Sequence, residues 1–379
     1  MRHFLERPAS DTLVFVETQF ATINPIPYLF ASFGVAFCGL FAGSLNGYLI
    51  ILVGKTFNLF FYALVIRHAL QKTALFQKTM FLLALMPMAL FQGASLSYDA
   101  VLIPAAFLLF AYTTKILRAP DGYTVSRGDI IGICFACAFL VGSKIAYAPL
   151  LLLLLAIPLK RFGSRKKWWY CVGAVAAMGV LFYLLPTAIT AIVTRDVSAA
   201  PPTEAALAQS AYFSENFWHF PVILVKTALH YGAFWINSFV GILGWLDTVF
   251  PLPYMILFIT VLIFTALMDM CRIKNVRLSA RVLTLIGVLI FYVGTVYIMY
   301  IEWNPVLNAD IGGDVAHGVQ GRYFIPVALF ILLAGANDWL SKLRFKEKLE
   351  DFRDKLVGFM AIVSGIMSAL LLLIRYWTA

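Results

Sequence analysis

Charge is scarce in this chain: Asp, Glu, Lys and Arg make up 13% of its 379 residues, against about a quarter in soluble domains. A soluble fold of this length could not bury the apolar surface that remains. Cysteine is sparse too. Cys38, Cys134, Cys137, Cys171 and Cys271 all fall in or beside apolar runs. Cys134 and Cys137 form one CxxC with no second pair, so these are packing residues and no metal site is expected. Nucleotide-phosphate loop, zinc motif and serine-centred hydrolase elbow are all missing. The net charge of +10 does not point to nucleic acid, because the basic residues sit in short clusters between apolar runs.

What is abundant is apolar sequence, at 62% of residues. Lipid must serve as solvent for much of it. A crossing helix needs about 20 mostly apolar residues, and backbone groups in lipid must be satisfied within the segment. The runs here do not alternate, which argues against a β-barrel. The expected fold class is all-α, a polytopic integral membrane helical bundle of about ten to twelve spans, one transmembrane domain over residues 1–379. Spans are predicted over 47–70, 75–93, 98–117, 128–144, 146–160, 168–186, 252–271, 280–301, 323–341 and 356–375. The stretches 27–44 and 222–243 could each either span or lie along the membrane surface.

The segments 67–78, 115–127, 160–167, 272–281 and 342–355 hold 21 of the 29 Lys and Arg residues. The opposite face holds Lys55, Lys144, Arg195, Lys226, Arg322 and Arg375. The positive-inside rule puts the basic segments in the cytoplasm, giving a multi-pass protein of the inner (plasma) membrane. Residues 187–250 and 302–322 then become long extracytoplasmic loops, where binding and catalysis usually live. Residues 1–46 also fall outside, so either 27–44 spans or an upstream first helix is expected.

Several outer polar residues invite chemistry. Asp99, in Gln92-Gly93-Ala94-Ser95-Leu96-Ser97-Tyr98-Asp99, can bind a cation or take a proton at the mouth of a bundle, or cap the next helix. Lys144 lies between two stretches of about 16 apolar residues, each covering only about 24 Å as α-helix. It therefore sits near the outer interface and suits a phosphate, or snorkels. Lys55 lies about two turns inside its span, three residues before Asn58, with the same two readings. Arg322, in Gln320-Gly321-Arg322-Tyr323-Phe324-Ile325-Pro326, can grip a phosphate bidentately or serve with Tyr323 as an interfacial anchor. Asp310, Asp314 and His317 stand just upstream. Asp247, in Gly244-Trp245-Leu246-Asp247-Thr248, either supports the site or caps a helix. His219 and His230 read as structural.

Three segments, GASLSYDA, GWLDT and VQGRYFIP, together resemble a large bacterial family of membrane proteins of unassigned function. Asn24-Pro25-Ile26-Pro27-Tyr28 followed by Lys55 and Asn58 also fits, although that family usually carries Arg where Lys55 stands. The resemblance covers nearly the whole chain. That family in turn is similar to the multi-span glycosyltransferases of the GT-C class, which take a sugar from a polyprenyl-phosphate carrier. The likeness implies a GT-C-like bundle, a polyprenyl-phosphate-linked sugar as donor, and a phosphate cavity lined by Lys55, Lys144, Arg322 and Tyr323. Gln320, Asp247, Asp310, Asp314 and His317 would support it. The likeness also implies a carboxylate in the first outer loop as general base. Members usually open with a spanning helix and a Pro-Asp-Glu motif. This chain opens Met1-Arg2-His3-Phe4, and Glu6, Asp11 and Glu17 do not form that motif. Either the chain is not catalytic or a first span and loop are missing from it, and Asp99 is the best remaining carboxylate, as the catalytic base or as a group that orients the acceptor.

The functional expectation is a membrane glycosyltransferase of cell-envelope glycan assembly, with membrane lipid and a lipid-linked sugar donor as partners. The alternatives are a transporter or flippase of a lipid-linked glycan, or a non-catalytic membrane partner of such machinery.

Overall fold

The computed structural model describes residues 25–40, 47–194, 203–244, 246–307, 310–337 and 347–375. The early carboxylates Glu6, Asp11 and Glu17, together with Arg195, Trp245, Lys342, Arg344 and Lys346, lie outside the described residues.

The described chain is an all-α polytopic bundle. Six of its helices are long and apolar enough to cross a membrane: Gly47–Lys72, Asp99–Arg118, Arg165–Leu185, Leu252–Cys271, Leu278–Val306 and Lys348–Leu373. Asp99–Arg118 is the central one, with 89% of its apolar window inside the protein, whereas for Arg165–Leu185 the share is 6%. Val180, Leu181 and Leu184 on that outer helix are exposed. Apolar surface of this extent calls for lipid.

The other four predicted spans are not single membrane-length α-helices. The 75–93 stretch is two short helices, Gln77–Ala84 and Pro87–Gly93. Pro87 explains the break, since it pushes the residue before it out of the helical region, and Met86 has ψ 142°. The 128–144 stretch is the 17-residue helix Arg127–Ser143. A capping box starts it, with the Asp129 amide donating to Ser126 Oγ at 3.1 Å and the Ser126 amide to Asp129 Oδ2 at 2.9 Å. The 146–160 stretch is a 12-residue 3₁₀ helix, Ile145–Ala156. At about 2.0 Å per residue it reaches about 24 Å, where an α-helix of that length would reach about 18 Å. It packs along Leu278–Ile298, and Gly287 permits the contact: a Cβ there would lie 2.6 Å from the Pro149 carbonyl oxygen. The 323–341 stretch opens as a 3₁₀ turn, Gly321–Phe324, and continues as the short helix Ala328–Gly335.

Of the two ambiguous stretches, 27–44 holds the 11-residue helix Leu29–Gly39, about 16 Å long, packed on Gly47–Lys72. The 222–243 stretch forms the helix Phe220–Val240 and a two-stranded ribbon in which Ile242 pairs with Val249 and Leu243 with Thr248. That helix has two faces. Val222, Val225, Leu229 and Ile236 are exposed. Thr227, Tyr231, Trp235 and Ser238 on the opposite side all bond to the chain between Ala316 and Gly321.

The five basic segments meet at one end of the bundle. Lys78 pairs with Asp354, Arg272 with Glu350, and Arg118 donates to the Lys274 carbonyl. Arg161 donates to the Ala119 and Pro120 carbonyls, and Lys167 to that of Val125.

Candidate functional site

At the other end, the segment before Asp99 is held by a polar knot. Asn58 Nδ2 donates to the Ser95 carbonyl at 2.7 Å, the Ser95 and Ser97 hydroxyls lie 2.7 Å apart, and Ser97 Oγ donates to Gln92 Oε1 at 3.1 Å. This sets Asp99 as the first residue of the central helix, after Tyr98, which caps the helix with no side-chain bond. Asp99 is therefore not the N-cap. Its negative charge suits the helix N-terminus, and it is buried.

Two other segments converge on it. Lys144 ends the Arg127–Ser143 helix in an extended conformation (φ −160°, ψ 112°). Its Nζ lies 4.1 Å from the ring centroid of Tyr323 and 5.5 Å from that of Tyr98. Such cation–π contacts contribute about 0.5–2 kcal/mol, more where water is excluded. Tyr147, one turn on, donates its hydroxyl to the Tyr323 carbonyl at 2.9 Å. Arg322, in the 3₁₀ turn, brings Nη1 to 3.8 Å from Asp99 Oδ2. That is an ion pair too long for a hydrogen bond. Among the described residues, Asp99 Oδ2 and Arg322 Nε are both buried and without a hydrogen-bond partner. Two cations thus face one carboxylate, and polar atoms on both partners are left to be satisfied.

An apolar trough of about 570 Å³ runs past the chain on both sides of Lys144, lined by Val141, Ala148, Pro149, Leu155, Val172 and Ile290.

The remaining predicted residues go elsewhere. Lys55 sits on the exposed side of Gly47–Lys72, while Asn58 one turn on faces inward. Asp247 pairs with Arg375 at 3.0 Å. Gln320 accepts the Tyr323 amide through its carbonyl at 3.1 Å and so opens the 3₁₀ turn. Asp310, Asp314 and His317 gather around a separate cavity with His230 and Asn304. Asp314 accepts from His219 at 2.7 Å and from Lys226. These two donors hold its carboxyl below the usual carboxylate range.

A strap joins the cavity to the cation cluster. From Ala316 to Gly321 the chain runs alongside Phe220–Val240 in the same direction. The Ala316 amide donates to Thr227 Oγ1 (2.9 Å), Tyr231 Oη meets His317 Nδ1 (2.6 Å), Trp235 Nε1 donates to the Val319 carbonyl (2.9 Å), and the Gly321 amide donates to Ser238 Oγ (2.8 Å). Eleven helical residues at 1.5 Å and five unwound ones at about 3.3 Å both cover about 16 Å. Glycine is required at Gly321, where a Cβ would collide with the Trp235 carbonyl oxygen and the Phe239 nitrogen.

The residues that sequence reasoning passed over are the aromatic and amide ones: Tyr98, Tyr147, Trp235 and Asn304. Tyr98 adjoins Asp99, and Tyr147 lies one helical turn past Lys144; those spacings were the available signals.

Fold and site together define a multi-pass α-helical membrane protein with a polar cluster at one end of its bundle. The chain belongs to the family described as Predicted membrane protein (DUF2142), which matches residues 4–331. No curated protein and no solved structure matches it.

Proposed function

We propose that the Asp99–Lys144–Arg322 cluster receives the phosphate of a polyprenyl-phosphate-linked sugar, and that the protein is a membrane glycosyltransferase of cell-envelope glycan assembly working at its extracytoplasmic face. One observation carries this reading: Arg322 and Lys144 both act on Asp99, with Asp99 Oδ2 and Arg322 Nε buried and without a hydrogen bond among the described residues. A phosphate supplies acceptors for the guanidinium and offsets the surplus positive charge. The apolar trough suits a prenyl chain. In the transfer, an acceptor hydroxyl oxygen bonds to the anomeric carbon while the bond from that carbon to the phosphate oxygen breaks. Both electrons go to the phosphate, where Arg322 and Lys144 offset the developing charge. The hydroxyl proton goes to a carboxylate, and Asp99, with Oδ2 3.8 Å from Arg322 Nη1, is placed to take it.

A transporter of the same lipid-linked glycan is the second reading. The broken segments 77–93 and Ile145–Ala156 favour it, since interrupted helices mark many transport sites.

Native mass spectrometry of the full chain in lipid nanodiscs, with a long-chain polyprenyl phosphate added, tests the shared step. Arg322→Ala and Lys144→Ala are each expected to weaken binding about tenfold or more, the scale of a lost charge-assisted contact; exposed Leu229→Ala is not. Binding indifferent to both basic substitutions ends the proposal. Sugar transfer to an acceptor, against movement of the intact lipid across the bilayer, separates the two readings.

A further inference from the structure

The cavity around His317 is distinct from the cation cluster and has its own chemistry. Its volume is about 330 Å³, at the lower end of the roughly 300–1,000 Å³ range of small-molecule pockets. Two of its polar groups are committed to building the wall. Asn304 donates through Nδ2 to the Val315 carbonyl at 2.9 Å and accepts the His317 amide through Oδ1 at 2.7 Å. Asp314 is held by His219 and Lys226. Among the described residues, Asp310, His230 and the Nε2 atom of His317 have no hydrogen-bond or ion-pair partner and are left to a ligand.

His317 is versatile. Its Nδ1 meets the Tyr231 hydroxyl at 2.6 Å, and a hydroxyl can donate or accept. Nε2 can therefore take either role. An anion is a poor match for a wall bearing two carboxylates, whose neighbour Lys226 is already paired with Asp314. Among the described residues no group of three His, Cys, Asp or Glu is placed to hold a metal ion. Hydroxyls, which donate and accept at once, suit a fixed carboxylate acceptor beside imidazoles of either tautomer.

We propose that this pocket binds a sugar unit of the acceptor glycan. This rests on the reading of the Asp99–Lys144–Arg322 cluster as the donor's phosphate end and names the acceptor's class. His317 and Arg322 are five residues apart in the chain, so at most about 18 Å separates their Cα atoms. A short oligosaccharide seated at His317 reaches the cluster from there.

Saturation-transfer NMR on the full chain in nanodiscs tests the pocket. The probes are the methyl glycosides of glucose, galactose, mannose, rhamnose and N-acetylglucosamine, with their short homo-oligosaccharides. At least one is expected to receive saturation, and Asp310→Asn and His317→Gln are each expected to cut it fivefold or more. His230→Gln, at an exposed position on the cavity wall, provides a third variant if either of the others lowers the melting temperature. Polyprenyl-phosphate binding, measured on the same samples, should change less than twofold. No saturation of any probe, or saturation indifferent to all three substitutions, overturns the sugar pocket, and retained lipid-phosphate binding then leaves the donor proposal standing. Sugar signals that respond to the variants in a protein unable to bind polyprenyl phosphate would fail the donor reading alone.

Discussion

Arg353 shows how little a charge reveals about its own burial. Its side chain is 1% exposed, with Nη1 3.3 Å from Asp269 and Nη2 2.7 Å from Asp354. Asp269 also accepts from the Thr79 amide at 3.0 Å and hydroxyl at 2.8 Å. Breaking a buried pair by removing one partner leaves the other charge uncompensated, at about 3–5 kcal/mol. Arg353→Ala should therefore lower thermal stability markedly in a fixed detergent. Lys355→Ala, which loses only an exposed pair with Asp351, should cost well under about 1 kcal/mol. Equal melting temperatures for the two variants would refute the assignment. In sequence, Arg353 and Lys355 are two members of one basic run. What separates them is helix rotation and the arrival of Asp269 and Thr79, residues far away in the chain. By contrast, Asp99, Lys144 and Arg322 were legible, because an isolated charge beside long apolar runs has few ways to avoid lipid except by turning inward. Lys55 met the same description, and yet its helix turns it to the exposed face.

At the scale of elements, apolar length announced where segments lie better than how they wind. The bounds of Leu252–Cys271 follow from the run itself. The 3₁₀ form of Ile145–Ala156 does not, since α and 3₁₀ differ by which carbonyl each amide reaches and not by composition. The split at Met86–Pro87 comes from the proline, inside an apolar run that by length alone reads as one span. The strap from Ala316 to Gly321 has no periodic signature at all; its order comes from the Phe220–Val240 helix beside it. Gly321 gives that order a test. In Gly321→Ala the new methyl meets two backbone atoms that cannot rotate away, so overpacking should cost about 1–3 kcal/mol or more and lift Arg322 from Asp99. Gly335→Ala, with nothing within 4 Å of its Cβ position, should be neutral or slightly stabilising. Thermal melts of the two variants check this, and an unperturbed Gly321→Ala protein would count against the docked strap.

For the whole molecule, the count of basic residues sorted the loops into two sets, and the contacts gather one set at one end of the bundle, from Lys78–Asp354 round to Lys167 and Val125. Asp314 and Arg322 belong to the other set. With the five native cysteines replaced, labelling of Lys166→Cys and Asp314→Cys by an impermeant thiol reagent should report opposite sides of the membrane, with Asp314→Cys outside. Labelling of both from one side would reject the topology. The strap's partnership with the Phe220–Val240 helix behaves like a vernier. A slip of one strap residue, about 3.3 Å, corresponds to about two helical residues, and at about 100° per residue those point some 200° away. A slip of one helical turn, about 5.4 Å, matches no whole number of strap residues. The two scales next coincide only after about five strap residues, or three helical turns, so the spacing between His317 and Arg322 cannot be adjusted by small sliding steps: over any shorter slip the strap is either seated or released.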